Sequence, residues 1–506
     1  MRLSVTFGLL LACVMLFGLV VTTPALATGT DEGVSAPTAV STTSAASDHT
    51  PRSTENHHPF AFILLELTLL LGMVIAARWL ADRFKQPAVL GELIIGVVLG
   101  NIGYWLGLPF FSFVMDYGIA SPLFEQVWRS GSSVVEAASH VFGPQELAPG
   151  GKGFEVVQLM TGHSGLTNVN IGVSMWLFSS LGIVLLLFNV GLDTRLSQLR
   201  QVGSRAAWVA VIGVVATFLL GLVASTWLLA DYPLTARIFL AAVLCATSIG
   251  ISTRVFKDLN KEDTAEGRIV LGACVLNDVL VLVLLAVCIE LVLEGHIEYG
   301  ATAWTIFLSS AFLGAIVVLA DYFDNRISRL LGTLKANESR YLLPLAFAFS
   351  MGWFATQIGL SNTVGAFAAG LVISDESLRA KMKELVLPMV SVFTPIFFLL
   401  IGMQVNLVSF LNWNTPALTA VLLLVAVGGK LLAGLSAGRG VDRLSVGLGM
   451  LPRGEVALIF AGMGKSLGVI DNDAYAALIL VIILMAFATT LTLKWSFARE
   501  AASAGS

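Results

Sequence analysis

Four charged residues lie deep inside long apolar runs, away from their ends: Asp278, Lys430, Arg453 and Glu455. One charge at the centre of a bilayer costs about 2.5–3.5 kcal/mol even on a lenient scale, so four unpaired charges would cost on the order of 10–14 kcal/mol. Such groups persist where they pair, line water or do work. Asp278 stands about nine residues into the run 269–293, roughly 14 Å deep at 1.5 Å per residue, with Ala273, Cys274, Val275, Leu276 and Asn277 before it. A carboxyl in those surroundings can hold either a proton or a metal cation; the plainer alternative is a structural aspartate bonded to a neighbouring helix. Asn277 offers an amide oxygen without a second charge, either to orient the carboxylate, to coordinate a cation, or to bond another helix. Lys430, within Val427-Gly428-Gly429-Lys430-Leu431, is expected to pair with Asp278, each offsetting the other's desolvation; the alternative is a lysine snorkelling to the interface. Cys274 shares the face of Asp278 one turn earlier and reads as a small packing residue.

Two other segments place helix-weakening residues near mid-membrane: Ala246-Thr247-Ser248-Ile249-Gly250-Ile251-Ser252 and Leu451-Pro452-Arg453-Gly454-Glu455. A broken helix exposes carbonyls and partial charges, which lipid tolerates only where they line a cavity or an ion site. The two lie in different halves of the chain, the pattern of an inverted-repeat transporter with its site between them, although either alone could be a kink. Arg453 and Glu455 could bond the freed carbonyls and support a broken helix, or pair with charges elsewhere.

The elements that must carry these residues follow from composition. Of 506 residues, 56% are apolar and 12% charged, about half the charge of an ordinary soluble domain, and the mean hydropathy is +0.86. An all-α polytopic membrane protein is the class that remains, and 48 glycines suit close helix packing in lipid. A net charge of −4 gives no footprint for nucleic acid. Apolar windows predict thirteen spans, near 60–80, 89–107, 171–191, 206–229, 236–253, 269–293, 302–320, 341–358, 362–374, 386–404, 416–437, 444–468 and 474–495. Most basic residues fall in alternate loops: Arg78, Arg83 and Lys85; Arg195, Arg200 and Arg205; Arg254, Lys257, Lys261 and Arg268; Arg326, Arg329, Lys335 and Arg340; Arg379, Lys381 and Lys383; Arg439 and Arg443; Lys494 and Arg499. By the positive-inside rule these loops and the C-terminus are cytoplasmic and the N-terminus is outside. Residues 1–27 read as a signal peptide ending at Ala25-Leu26-Ala27. Residues 28–58 read as a disordered periplasmic tail, 108–170 as an outer loop insertion whose middle could be a helix on the membrane surface, and 499–506 as a short cytoplasmic tail.

Seven segments in order resemble bacterial monovalent cation:proton antiporters of the Kef-like and NapA-like sodium/hydrogen exchanger branch. They are Gln86-Pro87-Ala88-Val89-Leu90-Gly91-Glu92, Leu187-Phe188-Asn189-Val190-Gly191-Leu192, Ala246-Thr247-Ser248-Ile249-Gly250-Ile251, Leu276-Asn277-Asp278-Val279, Gly365-Ala366-Phe367-Ala368-Ala369-Gly370, Pro395-Ile396-Phe397-Phe398-Leu399-Leu400-Ile401-Gly402-Met403 and Arg453-Gly454-Glu455. The resemblance, running from about residue 60 to 495, implies an NhaA-like fold of inverted repeats. A core domain would hold the crossed, discontinuous fifth and twelfth spans with the sixth and eleventh, and would slide like an elevator against a second domain that makes a homodimer. It places Asp278 as the ion- and proton-binding carboxylate, Thr247 and Ser248 on the unwound crossing, and Lys430 as the salt-bridge partner. Asn277-Asp278 is similar to the electroneutral pattern and Lys430 to the electrogenic one. The nucleotide-binding C-terminal domain of Kef-type members is not expected here.

The function expected is secondary active exchange of Na+ or K+ for H+ across a bacterial inner membrane, without cofactor or enzymatic step, in a homodimer. A channel-like K+ efflux protein on the same fold is the main alternative. An intramembrane aspartyl protease needs two facing aspartates at mid-membrane, where only Asp278 is found. A sodium-coupled organic-anion symporter shares crossed helices, but the Asp278/Lys430 combination argues against it.

Overall fold

The computed structural model describes residues 59–504, leaving out 195–202, 295–299, 316–336, parts of 108–129 and of 301–313, and one to three positions at a time elsewhere. The expected signal peptide, the 28–58 tail and most of the 302–320 span therefore lie outside the described residues. All regular structure among the described residues is helical, and seven of these helices are long and apolar enough to cross a membrane.

In chain order the elements are α1 (Pro59–Arg83), α2 (Ala88–Trp105), α3 (Val134–Val141), α4 (Lys152–Thr161), α5 (Gly165–Asp193), α6 (Ser204–Leu228), α7 (Leu234–Val243), α8 (Ile249–Asp258) and α9 (Ala265–Glu294). They continue with α10 (Asn337–Gln357), α11 (Asn362–Leu371), α12 (Glu376–Met403), a 3-10 turn (Leu407–Leu411), α13 (Asn414–Leu435), α14 (Arg443–Gly449), α15 (Glu455–Ser466) and α16 (Asn472–Ala504). The expected fifth span is thus two half-helices, α7 and α8, and the expected twelfth is α14 and α15. Helix α16 continues through Ala504, so the residues read as the start of a short tail extend the last helix. The 108–170 insertion contains two short helices, α3 and α4. Their apolar sides, with Ala120 and Leu123, close a small core of Ala137, Ala138, Phe142, Val156 and Met160.

The spanning helices fall into two bundles. In one, α12 packs on α2 and α5, α11 packs on α5 and α10, and α1 packs on α2. In the other, α6 packs on α13 and α9, and α13 packs on α14 and α16. The pairings mirror one another across the undescribed span. The packing of α2 on α12 has its counterpart in α11 on α5, and that of α6 on α9 has its counterpart in α13 on α16.

Glycines let the mirrored pairs touch backbone to backbone. A Cβ on Gly96 would stand 3.0 Å from the Cα of Gly402, and one on Gly191 would stand 3.0 Å from the Cα of Gly370. Without a hydrophobic effect to drive helices together in lipid, such close contact through small residues supplies the packing. Gly96 sits near the middle of α2 as Gly370 sits near the end of α11, and each meets the last turns of its partner, α12 and α5. The same contact thus joins the two halves of the chain twice, with their roles exchanged, as a structural repeat requires.

Two clasps close the second bundle at its opposite ends. Tyr232, before α7, donates its hydroxyl to Asp471, before α16. Burial, then the hydrogen bond to Asp471 and the charges of Asp471 and Asp473, push the Tyr232 hydroxyl well above the usual tyrosine range. At the other end Asp442 caps α14, accepting from Leu444 N and Ser445 N at 3.3 Å each, while its own backbone N–H donates to Glu266 of α9 at 3.1 Å. Glu92, in the first turns of α2, is only 2% exposed and paired with Arg78 at 2.9 Å, because α1 folds back against the start of α2.

Candidate ion-binding site

Half-helix α7 stops at Val243 and α8 starts at Ile249; α14 stops at Gly449 and α15 starts at Glu455. The intervening extended segments pass each other at the centre of the second bundle. Ser248 N donates to Pro452 O at 2.8 Å, which ties the two segments together through their backbones. Ser248 also caps α8, its Oγ accepting from Ile251 N at 3.4 Å, as a serine at a helix start ordinarily does. Thr247 Oγ1 donates to Met450 O at 3.4 Å, and Ser252 Oγ donates to Gly449 O at 2.9 Å. Three hydroxyls of one segment thus touch or satisfy groups at the break in the other.

Arg453 contributes the reciprocal contact. Its side chain, 1% exposed, donates from Nη1 to Ala246 O, a carbonyl freed by the first break. Its Nε and Nη2 have no hydrogen-bond partner among the described residues. Arg453 thus reaches from one break to a carbonyl of the other. Glu455, the first residue of α15, lies 3.5 Å from Ser248 Oγ, which donates to its carboxylate. It places a second carboxylate at the crossing.

Asp278 sits close to the middle of α9, 3% exposed, beside the fully buried Asn277. The charged groups acting on it are Glu455, from α15, and Lys430, from α13. Cys274, one turn before, packs its Sγ 3.6 Å from Met450 Sδ and 3.9 Å from Ser252 Oγ, a packing role that also seats the crossing against α9.

Lys430 does not meet Asp278 as expected. Its Nζ donates to Cys245 O at 2.9 Å and to Asn277 Oδ1 at 3.2 Å, and no ion pair joins it to Asp278 among the described residues. The reason is geometric. Successive residues of a helix point in different directions, so an ammonium that reaches Asn277 does not also face Asp278. The break after Val243 supplies Cys245 O as a second acceptor. The lysine is fully buried rather than snorkelling. All seven residues singled out from the sequence, Thr247, Ser248, Asn277, Asp278, Lys430, Arg453 and Glu455, converge on this crossing.

The sequence reading gave no role to Lys465, which is also buried. It donates to Met115 O and Gln404 O and lies 4.5 Å from the centre of the Tyr475 ring. It ties the 108–170 insertion and the end of α12 to α15. Its signal, a charge inside an apolar run, was the one that identified Lys430.

Crossed half-helices around a mid-membrane carboxylate, set in an inverted repeat, define a secondary transporter of the broken-helix type. The model of the transmembrane sodium/hydrogen exchanger family matches residues 149–499, and the chain belongs to that family. It is 33% identical over 416 residues to the high-affinity Na+/H+ antiporter NhaS3 of Synechocystis, covering 80% of this chain and 83% of that protein. It is 34% identical over 326 residues to the Na+/H+-K+ antiporter GerN of Bacillus cereus, covering 63% and 82%. Among solved structures, the sodium proton antiporter MjNhaP1 of Methanocaldococcus jannaschii shares the fold. It has a TM-score of 0.53 and 15% identity, over 87% of this chain and 97% of that one.

Proposed function

We propose that this protein exchanges Na+ or K+ for H+ at Asp278 by alternating access, the second bundle sliding as an elevator against the first. The observation that carries this reading is the position of Asp278. It is a carboxylate in mid-helix, one turn from Cys274, which packs on Ser252 and Met450 at the two breaks, and the hydroxyls and carbonyls of those breaks can share a cation. A cation and a proton then compete for one group, and exchange follows if the empty site moves poorly. Thr247, Ser248 and Asn277 supply neutral oxygens to the cation. Arg453 and Glu455 hold the broken helix open. Lys430, bonded to Asn277 and Cys245 O, stands ready to turn to Asp278 when the carboxylate is charged and no cation is bound. The division into two bundles suits a moving and a fixed part. We assign the first bundle as the homodimer-forming part, place the protein in the bacterial inner membrane, and orient the loops rich in lysine and arginine to the cytoplasm. The named relatives, Na+/H+ and Na+/H+-K+ antiporters, support the ion class and leave the choice between Na+ and K+ open.

The test is flux in proteoliposomes. Asp278→Asn keeps the volume and a hydrogen-bonding amide but cannot ionise. Cation-driven proton movement should fall to the level of empty vesicles while the protein remains monodisperse and folded. Normal flux in that variant ends the proposal. A channel-like K+ pathway would instead pass current in a K+ gradient with no proton gradient.

A further inference from the structure

The groove between α13 and α14 lies apart from the ion site and opens to the outside of the second bundle. It has a volume of about 530 Å³ and is walled by Gly428, Leu431, Leu432, Leu435 and Leu444. Leu432 and Leu435 are 43% and 57% exposed, so the groove is open along its length. From Gly428 to Leu435 it spans seven residues of helix, roughly 10 Å along the bundle at 1.5 Å per residue.

One mouth of this apolar groove is cationic. Arg443 forms part of its wall and donates from Nε to Gly438 O at 2.9 Å, a use that leaves its Nη groups as donors. Arg205, from the start of α6, packs its guanidinium against the same glycine. Arg439 follows that glycine in the chain and is exposed. Asp442 also lines the mouth, but its carboxylate turns inward to Ser445 Oγ, Ser496 Oγ and Arg499. The rim therefore presents guanidinium to solvent-facing ligands at the depth where the helices leave the apolar layer.

We propose that this groove binds an anionic phospholipid, its phosphate held by Arg205 and Arg443 and one acyl chain laid along Leu431, Leu432, Leu435 and Leu444. Guanidinium forks match phosphate oxygens in pairs, and basic pockets between spanning helices recognise lipid head groups. An apolar trough that starts at the phosphate and runs toward the bilayer centre fits a diacyl lipid and not a free phosphate, which has no use for leucines. The groove borders both α13, which carries Lys430, and α14, which enters the crossing. An occupying lipid would thus brace the helices on either side of the ion site.

The experiment compares phosphatidylglycerol with phosphatidylcholine added to the delipidated full-length protein in detergent. It reads retained lipid by native mass spectrometry and the thermal midpoint. Phosphatidylglycerol should be retained and raise the midpoint more than phosphatidylcholine. Arg205→Gln with Arg443→Gln should weaken retention by about tenfold or more. Arg205→Gln alone, at a residue that makes no hydrogen bond among the described residues, should weaken it severalfold without lowering the midpoint in phosphatidylcholine. Leu435→Trp, which fills the trough and leaves the charges, should weaken it as well. Retention of phosphatidylglycerol unchanged in Arg205→Gln and in Leu435→Trp would overturn the proposal. So would an equal rise of the midpoint with inorganic phosphate in place of lipid.

Discussion

The two interrupted helices cross at breaks of equal length, α7 and α8 parting at 244–248 and α14 and α15 at 450–454, yet they carry different side chains. Ser248 and Gly454 occupy the same place, the residue before the second half-helix. Thr247 and Arg453 precede them. On one side hydroxyls complete the break; on the other a buried guanidinium does. Sterics enforce part of this inequality: a Cβ on Gly454 would stand 2.7 Å from Ser248 Cβ, so only one of the two equivalent positions can bear a side chain. The repeat builds a symmetric cradle, and unlike residues at equivalent positions make an asymmetric site, with polar oxygens toward one segment and fixed positive charge toward the other.

Replacing the two equivalent side chains tests that asymmetry most strongly. Arg453→Ala removes the guanidinium that donates to Ala246 O and leaves a cavity in a packed crossing. It should lower stability in detergent by about 2–4 kcal/mol. Thr247→Val, losing one long hydrogen bond at conserved volume, should cost about 1 kcal/mol. Equal losses in the thermal midpoints of the two variants would mean that the segments are energetically alike. Lys430→Met should come next, leaving Cys245 O and Asn277 Oδ1 without the ammonium at about 1–3 kcal/mol, and it should also move the pH profile of proton flux. An unchanged midpoint and profile would remove Lys430 from the site.

The smallest effect sharpens the comparison at the loops that clasp the bundle. Burial alone would raise the Asp442 carboxyl. The bonds from Ser445, Leu444 N, Ser445 N and Ser496 outweigh it and hold the group below the usual carboxylate range. Such a group adds stability above its unfolded value, and that contribution is lost as pH falls through the lower folded value. Asp442→Ala should therefore cost about 1 kcal/mol near neutrality and flatten the acid limb of a midpoint-against-pH curve. A variant whose acid limb matches the parent would show that the cap carries no such linkage.

Much of this site was legible in the sequence, because a charge or a glycine–proline break inside an apolar run is costly and stands out against its neighbours. Asp278, Lys430, Arg453 and Glu455 were found that way, and the breaks at 246–252 and 451–455 lie where the half-helices part. What the sequence did not carry was direction. The charges of Asp278 and Lys430 suggested a pair, whereas the lysine turns to Asn277 and to Cys245 O, a carbonyl whose freedom depends on where a helix stops. The mirrored contacts of Gly96 with Gly402 and of Gly191 with Gly370 were equally hidden, since glycines in lipid-spanning helices are common and only the tertiary crossing selects four of them. Lys465 shows the opposite failure: its signal was present, but its partners, two backbone carbonyls and a tyrosine ring, leave no pattern in sequence.

The central claim is that one carboxylate holds the cation and the proton in turn. Its most direct test is the apparent KM for Na+, measured as cation-driven proton flux in proteoliposomes over a series of pH values. Competition at a single group predicts that KM rises about tenfold for each unit of acidification below the group's own titration point, with maximal flux recovered at saturating Na+ and no flux in Asp278→Asn. A KM that stays constant across that range, with robust transport in Asp278→Asn, would contradict the account.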